Sequence, residues 1–115
     1  MKRIFIELQG FLNKWYASNL TDDDLTNLEA YLCINPESGD IIPDTGGLRK
    51  LRFALDNKGK RGGARIVYID FAFYEKIYLL DIYTKNKKVD LSHEEKAKIK
   101  KVVKMLEYEL RKGGH

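Results

Sequence analysis

With 115 residues and 43% hydrophobic content, the chain can fill one core but not two, so one domain over residues 1–115 is expected. A single cysteine, Cys33, excludes an internal disulfide, and His93 and His115 are too few for a zinc site of ordinary ligand count, so no metal or other cofactor is expected. The formal charge of +4 suits a polyanionic partner, and the apolar run Ile4-Phe5-Ile6 stops at Glu7, which predicts neither export nor a membrane span but a reducing cytoplasm.

Along the chain, residues 3–8 alternate, with Ile4 and Ile6 on one face and Phe5 on the other, which predicts a short strand. Phe11, Leu12, Trp15 and Tyr16 then recur at helical spacing. Thr21 opens a second helix as its cap, with Asp22, Asp23 and Asp24 at the positive end of the helix dipole. Leu25, Leu28, Tyr31 and Leu32 form the apolar stripe of this helix, and Pro36 follows its end near Asn35. Residues 36–47 hold Pro36, Gly39, Pro43, Gly46 and Gly47, a density of breakers that predicts a connecting loop without regular structure.

Residues 48–55 alternate again. Leu51, Phe53 and Leu55 share one face, and Lys50 and Arg52 project from the other with Ala54. A glycine-rich basic turn at 56–63 leads to a strand at 64–71, and after a short turn a third strand follows at 76–85. Ser92 and Glu95 fit a capping box for a last helix, whose packed stripe is Ile99, Val102, Val103, Leu106 and Leu110. The order strand, two helices, three antiparallel strands, helix predicts an α+β fold: an antiparallel-rich central sheet with N-terminal helices and a C-terminal helix. Trp15 and Cys33 are expected to be packing residues.

Charge is distributed unevenly. From Arg49 to Arg65 stand Arg49, Lys50, Arg52, Lys58, Lys60, Arg61 and Arg65 against the single acid Asp56. An antiparallel meander brings the end of the first of its strands, the start of the second and the end of the third toward one sheet edge, which gathers Arg52, Arg65 and Lys85. Such a cluster can act on RNA without a metal when the 2′-hydroxyl attacks the adjacent phosphorus. A base removes the hydroxyl proton, an acid protonates the leaving oxygen, and cations stabilise the added charge.

Arginine's planar fork suits Arg52 and Arg65 to phosphate, while Lys85 is assigned proton transfer, a role that requires a depressed pKa. Lys50, Lys58, Lys60, Arg61, Tyr68 and Tyr83 are candidates for substrate or ribosome binding, the two tyrosines by stacking on bases. Tyr68, between Val67 and Ile69, is more simply a packed strand residue, while Tyr83, next to Thr84 and Lys85, fits either role. Residues 58–61 by themselves are a solvated turn, since a phosphate-cradling glycine loop needs a helix after it and a strand follows here. Asp81 is the one acid within the last strand and more simply satisfies a cation than acts as a base.

TGGLRKLR at 45–52, KGKRGGARIVY at 58–68 and IYLLDIYTKN at 77–86, with DLS opening the last helix, together resemble the HigB branch of the RelE/ParE toxin superfamily. The resemblance implies the toxin of a type II toxin–antitoxin pair: a ribosome-dependent mRNA interferase, an endoribonuclease that cuts the exposed codon and stops translation. A HigA-like antitoxin would block it, and operator DNA would be bound only through the antitoxin complex. Family catalytic residues are basic side chains on the central strands, which match Arg52 and Arg65 here, with Lys50 as a neighbour and Lys85 at the end of the last strand. Several RelE members stack substrate on an additional tyrosine near the C-terminus, and VDLSHEEK at 89–96 has none. The superfamily also holds ParE-like gyrase inhibitors, and a nucleic-acid-binding module without catalysis would carry the same charge, so these remain the alternatives.

Overall fold

The computed structural model describes residues 2–54, 63–84 and 91–113. Its elements are β1 (Ile4–Glu7), α1 (Gln9–Ala17), α2 (Asp22–Ile34), β2 (Asp40–Ile41), β3 (Arg49–Phe53), β4 (Ala64–Phe71), β5 (Lys76–Thr84) and α3 (His93–Lys112). The strands form one sheet in the order β1-β5-β4-β3-β2. The expected antiparallel meander is β3–β4–β5. Beyond it, β1 joins the β5 edge in parallel, so the sheet is mixed and the fold is α+β.

Caps set the helix starts as the sequence indicates. Thr21 and Asp24 exchange side-chain and backbone hydrogen bonds at the start of α2, and Ser92 and Glu95 do the same for α3. The loop at 36–47 departs from expectation, because β2 forms inside it. Its cause lies across the chain: the Arg49 guanidinium donates to the carbonyls of Glu37 and Gly39, and Ile42 N donates to Leu48 O at 2.8 Å. Buried Thr45 completes the fold-back by donating to Ile42 O and accepting from Leu48 N.

Each face of the sheet carries its own core. On one, Phe11 and Trp15 of α1 and Leu25, Leu28 and Leu32 of α2 pack on Leu51, Ile66, Tyr68, Ile77, Leu79 and Ile82. On the other, Val103 and Leu110 of α3 pack on Leu48, Val67, Ile69, Phe71 and Tyr78. The alternation of β4 is thereby buried on both sides, with only Arg65 and Asp70 partly open. Asp70 is neutralised by Arg3, whose Nε and a terminal nitrogen donate to the two carboxylate oxygens at 2.8 and 3.2 Å. Val102, expected on the packed stripe, is half exposed, because α3 meets the sheet through Val103 and Leu110 with Ile99 and Leu106 beside them.

Tyr68 belongs to the core under α1 and α2. It has no exposed surface, and its hydroxyl donates to Pro36 O and accepts from Gly39 N, both at 2.9 Å. Gly39 must be glycine for this contact, since a Cβ there would stand 2.9 Å from the tyrosine ring and 3.0 Å from Lys50 O. Tyr68→Phe leaves a buried N–H and carbonyl without their partner, and is expected to cost about 1–3 kcal/mol in chemical denaturation.

Glu29 of α2 shares a hydrogen bond with Glu7 at the end of β1, and its Oε2 is buried with no hydrogen-bond partner among the described residues. Burial, then the hydrogen bond to Glu7, then the neighbouring charge push its carboxyl up to about 8. The folded chain therefore holds a proton that the unfolded chain, with its ordinary value of 4.5, has released. This contribution is full below the unfolded value and is lost as pH rises through about 8. Thermal melts between pH 5 and 9 are expected to show Glu29→Gln gaining on the parent chain as pH rises, and parallel curves would refute the shared proton.

Candidate functional site

The register of the meander gathers the site. Arg52 of β3 stands directly opposite Arg65 of β4, and Arg65 stands opposite Tyr83 of β5. All three project from the α3 face: Arg52 and Arg65 alternate with Leu51 and Ile66, which point toward α1 and α2, and Tyr83 packs with the α3 core. Directly opposed Cβ atoms lie about 4.5–5.5 Å apart, and like charges in that position destabilise a sheet. A guanidinium group can offer two parallel N–H donors to phosphate oxygens, so the pair is suited to an anion.

Tyr83 reaches this face because of a bulge. Val67 pairs with Asp81 and Tyr68 with Leu79, so Leu80 is an extra residue in β5. Without it, Tyr83 would share the parity of Ile77 and Leu79 and point toward α1 and α2. Burial raises the Tyr83 phenol above its ordinary value, with Arg65 pulling the other way and Asp81 adding to the rise. At neutral pH the ring is therefore uncharged, able to stack on a base and to donate a hydrogen bond.

The next row of the sheet is Lys50, Val67 and Asp81. Lys50 is exposed on the same face. Asp81 meets a cation from outside the expected cluster: its Oδ1 accepts from Lys14 Nζ of α1 and from Ile82 N, both at 2.8 Å. Above this row lies a pocket of about 370 Å³ between the sheet and the middle of α3. Lys50, Val67, Leu80, Asp81 and Tyr83 line it from the sheet, and Lys98, Ile99 and Val102 from the helix.

Tyr68 is corrected as a candidate for stacking on substrate. It lies on the opposite face of β4, enclosed between the sheet and the two N-terminal helices. Arg49, one of the cations of the basic segment, is committed to the 36–47 loop. Lys58, Lys60, Arg61 and Lys85 lie outside the described residues.

Lys98 was not singled out as a site residue. Its signal was the lysine run at 96, 98, 100, 101 and 104, where helical spacing sends one member to the pocket rim. Among the described residues no group of three or more His, Cys, Asp or Glu side chains is arranged to hold a metal, and no helix is long and apolar enough to cross a membrane.

The family model described as the RelE toxin of the RelE/RelB toxin–antitoxin system matches residues 3–112, from Arg3 just before β1 to the last residue of α3. With its antitoxin partner implied by that match, the chain belongs to the RelE toxin family.

Proposed function

We propose that this chain is a cytoplasmic toxin of the HigB branch, a ribosome-dependent and metal-independent endoribonuclease that cuts mRNA during translation and is held inactive by a HigA-like antitoxin. The observation that carries the reading is the opposition of Arg52 and Arg65 with Tyr83 on the next strand. In the proposed reaction the 2′-hydroxyl of one nucleotide attacks the adjacent phosphorus, the bond to the next nucleotide's 5′-oxygen breaks, and a 2′,3′-cyclic phosphate and a 5′-hydroxyl result. Arg52 and Arg65 stabilise the charge gathered on the phosphoryl oxygens. Tyr83 stacks on a base or donates to the same phosphate. Lys85 is assigned proton transfer from its place in the sequence alone.

Lys50 and the basic segment with Lys58, Lys60 and Arg61 are assigned to the phosphates of mRNA and ribosomal RNA, which makes affinity salt-dependent. Operator DNA is reached only through the antitoxin complex.

Primer extension on mRNA in a cell-free translation reaction tests this. Cuts are expected at codons, only when ribosomes are present, and Arg65→Ala is expected to slow them by about 10²–10³-fold. The cut ends are expected to be a cyclic phosphate and a 5′-hydroxyl; a 5′-phosphate and 3′-hydroxyl would overturn attack by the 2′-hydroxyl. Intact mRNA with arrested DNA supercoiling would replace the reading with gyrase inhibition. Cutting that persists in Arg65→Ala would remove that residue from the chemistry.

A further inference from the structure

We propose that the pocket between α3 and the Lys50–Val67–Asp81 row binds one nucleobase of the RNA, the base adjoining the phosphate held at Arg52 and Arg65. The inference rests on the RNA-cleaving reading above and gives that site a second compartment.

Position is the first argument. The row of Arg52, Arg65 and Tyr83 and the row of Lys50, Val67 and Asp81 are neighbours on one face of the sheet. Successive same-face rows are two residues apart along a strand, about 7 Å. A ribose separates a phosphate from its base by a comparable length, so a nucleotide anchored at the arginines has its base at the mouth of the pocket. Tyr83 belongs to both compartments, standing beside Arg65 and lining the pocket.

The lining is the second argument. Val67 and Leu80 form an apolar floor, and Ile99, Val102 and Leu106 of α3 an apolar roof. Enzymes that take a base out of its stack hold it in this way, with the π-faces between apolar or aromatic side chains and the edge on a few polar groups. The polar groups here are opposite in kind and stand in one row two strand spacings apart, about 10 Å. Lys50 offers only donors, and Asp81 offers only acceptors. A base with a carbonyl toward one side and an N–H toward the other satisfies both.

Charge and size are the third. Lys50 and Lys98 line the pocket, whereas Asp81, the one carboxylate lining it among the described residues, already carries the Lys14 ion pair, so the opening favours a ligand that bears phosphate. A pocket of about 370 Å³ is at the small-ligand end of binding sites. A helix laid into a groove needs a series of anchors over two turns instead of one slot.

The test is a methyl NMR titration of the full chain with each of the four nucleoside 5′-monophosphates, and with ribose 5-phosphate as the base-free control. The monophosphates are expected to shift the methyls of Val67, Leu80, Ile99, Val102 and Leu106 saturably, and ribose 5-phosphate to leave them in place. Val102→Trp, a change at a half-exposed rim position, is expected to keep the melting temperature and weaken monophosphate binding about tenfold, the scale of one lost base stack. Pocket methyls that ignore all four monophosphates, that respond equally to ribose 5-phosphate, or that respond only to purified antitoxin would overturn the proposal. The two readings fail separately. Base binding in the pocket with mRNA left intact on ribosomes sinks the nuclease and keeps the pocket, and cut mRNA with unmoved methyls does the reverse.

Discussion

β4 must bury both of its faces at once, and the architecture around it follows from that requirement. The helices α1 and α2 cover Ile66 and Tyr68 on one side, and α3 covers Val67, Ile69 and Phe71 on the other. A strand so enclosed admits charge only near its ends, where Arg65 and Asp70 stand. The two ends are treated differently. Asp70 is closed by Arg3 through two hydrogen bonds, which ties the β1 edge to the centre of the sheet and fills a structural need. Arg65 is set opposite Arg52 of β3, on the face that α3 covers.

The single extra residue at Leu80 has a consequence out of proportion to its size. Residues 76–79 of β5 pair with β1 on one side and with β4 on the other, whereas beyond Leu79 no residue of β5 has a partner in β1. The bulge lies at that transition, where one neighbour is lost and the ladder is easier to distort. By reversing the parity of the strand it keeps Ile82 in the core under α1 and α2, and turns Tyr83 to the face that carries Arg52 and Arg65. Packing and site are therefore satisfied by one local irregularity.

The α3 face combines packing and site by the same logic. Val103 and Leu110 pack the helix on the sheet, and beside them Ile99, Val102 and Leu106 line a pocket next to the arginine row. The pocket borders the site because α3 must cover the apolar middle of β4 and β5 without covering the polar row at the end. Membership of the RelE toxin family implies an antitoxin partner for this small chain. The finer assignments, to mRNA on the ribosome and to the HigB branch, rest on the reading of these side chains.

Much was legible from residues alone because it depends on short-range patterns. Thr21 with three aspartates, and Ser92 with Glu95, mark helix starts through bonds made within one turn. The two-residue alternation of 48–55 places Lys50 and Arg52 on a common strand face, and the order of three strands brings Arg65 toward Arg52. Other features depend on partners distant in the chain. β2 forms in a segment rich in breakers because Arg49 holds its carbonyls. Tyr68 alternates with Arg65 and so lies on the opposite face, where Pro36 and Gly39 from a distant loop hold its hydroxyl.

By itself, then, the sequence determined the α+β class, the helix caps and the candidacy of the basic strand residues, since propensity, capping and alternation are local. Only the tertiary structure decided the parallel β1 edge, the face presented by Tyr83 and the pocket under α3. Register, bulges and the seating of a helix on a sheet are set by which distant surfaces bury each other, and no local pattern encodes that.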